Sequence, residues 1–77
     1  MGINNNLEKN LGKKLRFIRN SKKLSQMQLA EVADLNFGYI GQIERGKANI
    51  TIDAIKKIAD ALEIEAKELF DFIFKLD

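Results

Sequence analysis

Between Ala33 and Asn36 the chain leaves room for a turn and nothing longer. On one side, Leu29, Ala30 and Ala33 form an apolar face at helical spacing; on the other, Ile40 and Ile43 do the same. Two helices joined this tightly cannot run back along one another, so they must cross steeply. Local signals agree with those limits. Ser25 followed three residues later by Gln28 fits a capping box, which starts one helix at Gln26. Asp34 tolerates the left-handed backbone that ends it. Asn36 is a good N-cap for the next helix, which runs to about Arg45, and Gly46 stops it.

The rest of the chain is compatible only with more helices. Leu7, Leu11, Leu15 and Ile18 recur at spacings of four, four and three, a stripe that ends near Lys22. Thr51 can cap a fourth helix with Asp53 in its first turn and Ile55, Ile58, Ala59 and Leu62 on its buried face. A fifth helix is expected over about Ala66 to Leu76, with Ala66, Leu69, Phe70 and Ile73 as its stripe. There is no proline among the 77 residues and no alternating strand pattern. The expectation is a compact all-α domain of five helices, spanning 7–77 behind a frayed segment at 1–6.

The second and third helices, about 25–45, form a helix-turn-helix arrangement. On the third, Ile40, Ile43 and Glu44 share one face; Gly38, Gly41, Gln42 and Arg45 share the other. Two glycines three residues apart each cost a helix interior roughly 1 kcal/mol relative to alanine. They let the backbone approach a groove wall closely, or they are merely tolerated, or they permit close packing of the second helix. An amide such as Gln42 can pair with an adenine edge, and an arginine with guanine or phosphate.

Charge is unevenly placed. Residues 1–50 hold nine Lys/Arg against four Asp/Glu, and residues 51–77 hold four against seven. A basic half beside an acidic one suits an anionic partner on one face. With no histidine and no cysteine, the chain lacks the commonest acid–base agent and nucleophile, so an enzyme is not expected. No disulfide or cysteine-based metal site can form, and no metal or other cofactor is expected. No run approaches the ~18 apolar residues of a membrane span. The expected setting is cytoplasmic.

The stretch from Gly12 to Ile64 resembles the phage-repressor-like (XRE, Cro/repressor) helix-turn-helix domains. The pattern is carried by Arg19, by "SQMQLA" at Ser25 to Ala30, by "YIGQIERGK" at Tyr39 to Lys47, and by "IKKIADAL" with a following "ELF". The resemblance covers about residues 11 to 70. It implies a bacterial or phage transcriptional regulator that binds double-stranded DNA. It gives Gln42 a base contact and Gln26, Tyr39, Arg45 and Lys47 contacts to the DNA backbone. It also implies a partly buried ion pair between Arg19 and Glu44. Phe37 and Gly38 open the recognition helix where many members carry polar or basic residues, and with Gln42 they are the candidates for base contact. Phe37 can touch a thymine methyl, wedge against a sugar or fold back onto the core. Asp34 stands where the family often has a turn glycine.

The segment at about 65–76 carries more apolar surface than one buried face needs. Phe72, Phe74 and Leu76 spread beyond the stripe, and exposed phenylalanines on a small domain point to a partner. A homodimer is the expectation, because it would place two recognition helices on two half-sites of an operator. The competing possibility is that these residues fill a core gap. The overall resemblance extends to restriction–modification controller proteins and small phage or plasmid repressors, with "NITI" at Asn49 to Ile52 leaning toward the controllers. The alternative from another class is a protein-interaction module on the same scaffold, with Phe37 and Gly38 facing a protein.

Overall fold

The computed structural model describes the backbone of residues 3–76 and the side chains of residues 7–72. Its elements are α1 (Ile3–Ser21), α2 (Gln26–Ala33), α3 (Phe37–Glu44), α4 (Ile52–Leu62) and a C-terminal 3₁₀ helix (Ala66–Leu76). α1 begins ahead of the apolar stripe rather than at Leu7.

The helix ends are made by the residues next to them. Ser25 Oγ accepts from the Gln28 N–H at 3.0 Å, and Gln28 Oε1 accepts from the Ser25 N–H at 2.8 Å. Asp34 closes α2 with φ 58° and ψ 48°, and the N–H of Leu35 reaches back to Ala30 O. Asn36 Oδ1 caps α3 through the Gly38 N–H at 2.8 Å. Thr51 Oγ1 caps α4 through the Ala54 N–H at 3.0 Å. Gly46, at φ 73°, turns the chain after α3. Such caps are each worth about 1 kcal/mol.

One core joins all five elements. Leu11, Leu15 and Ile18 of α1 meet Leu29, Ala30 and Ala33 of α2, Ile40 and Ile43 of α3, Ile58 and Leu62 of α4, and Leu69. Each large side chain fully buried there contributes roughly 1.5–3 kcal/mol. Leu7, the first member of the expected stripe, lies at the rim and is exposed. α3 packs against both α1 and α2, so its orientation is set from two sides.

The C-terminal segment departs from expectation in its winding. It is 3₁₀, not α, so residues three apart eclipse one another. Ala66 is exposed, Leu69 is buried, and Phe70 and Phe72 are half-buried against the core. The two rings lie 6.5 Å apart at 42°. Phe72, expected beyond the core stripe, therefore packs partly onto it. The side chains of Ile73, Phe74 and Leu76 lie outside the described residues.

Candidate nucleic-acid interface

α3 buries Ile40, Ile43 and Glu44 and turns Phe37, Gly38 and Gln42 outward. Phe37, at the first helical position, is half exposed and does not join the core. Gln42 is exposed, and its amide makes no hydrogen bond among the described residues. Arg45 and Lys47 are exposed just beyond the helix end. Tyr39 is half-buried. Its hydroxyl donates to Asn49 O at 3.3 Å and accepts from the Thr51 N–H at 3.4 Å, tying α3 to the start of α4.

The two glycines of α3 do different things. Gly38 is exposed, and a Cβ there would meet only Asn36 Oδ1, at 3.1 Å. Its outer side is open to a close approach. Gly41, expected on the outward face, is buried. A Cβ there would lie 3.2 Å from Arg45 Nη1 and 3.5 Å from Gln26 Oε1. These two long polar side chains cover it, so its small size serves their placement rather than a bare contact with a groove wall.

Below this surface lies a buried charge cluster. Arg19 of α1 grips Glu44 of α3 in two places, Nε to Oε2 at 2.6 Å and Nη2 to Oε1 at 3.0 Å. Its Nη1 donates to Leu24 O at 2.7 Å. The Glu44 side chain is fully buried and that of Arg19 is 10% exposed. Gln26 Nε2 adds a hydrogen bond to Glu44 Oε1 at 3.0 Å, and Arg16 Nε a longer one at 3.4 Å to the same oxygen. Burial pushes the Glu44 carboxyl up. The hydrogen bonds from Arg19 and Gln26, the Arg19 charge and the Arg16 contact together outweigh it, so the pKa sits below the ordinary carboxylate value. Among the described residues no buried polar side-chain atom lacks a partner.

Two residues of this region were not singled out in the sequence. Gly12 of α1 lies against the last turn of α3, where a Cβ would fall on Ile43 O and within 2.7 Å of Glu44 O. Arg16 sits one turn further along α1 and reaches the same carboxylate as Arg19. The only sequence signal for either was its spacing from Arg19, seven residues for Gly12 and three for Arg16, which puts both on the α1 face that meets α3.

The chain is similar to known helix-turn-helix proteins. A helix-turn-helix family model matches residues 15–69. The control protein C.BamHI of Bacillus amyloliquefaciens is 45% identical over 71 residues, covering 91% of this chain and 88% of that protein. The immunity repressor protein of Bacillus phage phi105 is 36% identical over 59 residues, covering 77% of this chain and 41% of the repressor. Among solved structures, the restriction-modification controller protein C.AhdI from Aeromonas hydrophila superposes with a TM-score of 0.80 at 44% identity. That match covers 80% of this chain and 94% of that one.

Proposed function

The chain belongs to the helix-turn-helix family, and on that premise we propose that it is a sequence-specific transcriptional regulator that binds double-stranded DNA as a dimer. The observation that carries this reading is the two-sided character of α3. Its inner face is locked by Ile40, Ile43 and the Glu44 cluster, while Phe37, Gly38 and Gln42 stand free on the outer face. A helix held this way can enter a major groove with side chains aimed at base edges. Gln42 then reads an adenine edge and Phe37 packs on a thymine methyl. Gln26, Arg45 and Lys47 flank the helix and take the phosphates on either side, and Tyr39 joins them by turning its hydroxyl proton from Asn49 O to a phosphate. Similarity to control proteins and to a phage repressor supports regulation of transcription as the outcome.

The test separates the two kinds of contact. Lys47→Ala should weaken operator and random duplexes about equally and make the salt dependence shallower by roughly one unit per protomer bound. Gln42→Ala should cost about 1–3 kcal/mol on the operator selected from a random pool, and relax preference at one base pair of each half-site. Equal loss on every sequence would remove Gln42 from base reading. A wild-type chain that shifts no duplex even at low salt would instead favour a protein-binding surface built on Phe37.

For the dimer, the apolar residues Phe72, Phe74 and Leu76, more than one buried stripe needs, are the proposed interface. Phe72→Glu should sediment as a monomer at micromolar concentration while keeping its helical circular dichroism. Operator binding should then fall far more than random binding, since only specific recognition needs both half-sites in register. Wild-type protein sedimenting as a monomer at high concentration would end the dimer reading. Because Phe72 also packs on the core, an unfolded variant would shift the interface to Phe74 and Leu76.

A further inference from the structure

We infer that Arg16 is an additional DNA-backbone residue, and that it shares with Gln26 one phosphate seat built on the Glu44 carboxylate. The inference rests on the DNA-binding reading above and deepens it. Glu44 Oε1 accepts from three side chains on two elements, Arg19 and Arg16 of α1 and Gln26 of α2. These donors are not equivalent. Arg19 is buried and takes both carboxylate oxygens at 2.6 and 3.0 Å, so the single negative charge of Glu44 is already matched. Arg16 touches the same oxygen only through Nε, at 3.4 Å, with its side chain 54% exposed. Its two terminal nitrogens make no hydrogen bond among the described residues. The cluster thus carries one positive charge in excess, and that charge faces outward.

Gln26 is aimed by the same carboxylate. A carboxylate only accepts, so the amide turns its nitrogen toward Glu44 and one N–H remains unused. The Arg45 guanidinium lies beside it, since Arg45 Nη1 and Gln26 Oε1 both come within 4 Å of the Cβ position at Gly41. A phosphate diester at this point would meet the free guanidinium fork of Arg16 and the spare N–H of Gln26, with Arg45 alongside. Arginine forks suit phosphate oxygens in this way. Glu44 is a positioning residue here, touching the donors and not the nucleic acid.

The probe is a 30-base-pair duplex of random sequence, titrated from low to physiological salt. Arg16→Ala should bind it about tenfold more weakly per protomer bound near 0.1 M salt, with the log–log salt slope shallower by about one unit for each, as one phosphate in each goes unneutralised. Its melting temperature should stay close to that of the wild type. Arg16→Lys should restore the slope, because one charge returns. Arg16→Ala combined with Gln26→Ala should lose less than the product of the two single losses, because both serve one phosphate. An unchanged affinity and slope in Arg16→Ala, alongside wild-type binding, would overturn the inference and leave the DNA-binding reading intact. So would a lowered melting temperature with unchanged binding, which would make Arg16 a structural partner of Glu44 only. Independent losses would assign the two residues to separate phosphates and overturn the shared seat. A wild-type chain that binds no duplex removes both readings.

Discussion

Gly12→Ala is expected to destabilise the domain by about 3 kcal/mol or more, at the upper end of what overpacking costs. The sign is the informative part. In an exposed helix interior the same change stabilises by roughly 1 kcal/mol. At Gly12 the new methyl would meet the backbone of the last turn of α3, with Glu44 O at 2.7 Å and Glu44 C at 2.9 Å. Neither partner is a side chain that can swing away. Either α1 or α3 must shift, and both are pinned by Leu11, Leu15, Ile40 and Ile43 in the shared core. A loss of that size should lower the melting temperature by about 12–24 °C in a domain of this length. Thermal unfolding followed by circular dichroism measures it. A melting temperature equal to or above that of the wild type would mean that the two helices do not approach this closely.

The second large effect belongs to Arg19 and Glu44. Either single alanine variant strands a charge in a place with almost no solvent, at a cost of about 3–5 kcal/mol. A domain of 77 residues has roughly 4–12 kcal/mol in total, so each variant should lose much of its stability. Glu44→Ala should be the worse of the two, because Arg16 and Gln26 lose their acceptor as well. The double variant should recover part of the loss, and strict additivity in urea-unfolding free energies would show that the pair does not interact. The same carboxylate gives a pH signature. Its folded-state pKa is lowered, so its stabilisation is fully present above the ordinary glutamate value and disappears as pH falls through the folded value. Glu44→Gln should be less stable near neutrality and should lack that part of the acid loss. A variant that keeps the full acid dependence of the wild type would assign it to other carboxylates.

The chain's local grammar is legible in the sequence alone. Ser25 with Gln28, Asp34, Asn36, Gly46 and Thr51 act on backbone groups within a few residues of themselves, so their roles follow from spacing alone. The buried face of α2 follows from the helical period in the same way, and so do those of α3 and α4 except that Gly41 and Ala54 are buried and Ile55 is only half-buried. The pairing of Arg19 with Glu44 was different. Twenty-five residues separate them, and only the family resemblance joined them before the structure did. What remained out of reach depended on distances between elements. Gly12 reads as an ordinary helix flaw until α3 is laid across it, and Gly41 reads as an open face until Gln26 and Arg45 fold over it. Arg16 and Arg19 stand three residues apart with the same chemistry. Only the depth of α1 in the core makes one a buried partner and leaves the other facing solvent with charge to spare. The winding of the C-terminal segment was likewise not in its apolar pattern, because a spacing of three fits both a 3₁₀ and an α helix, and contact with α1 and α4 is what sets which side chains face inward.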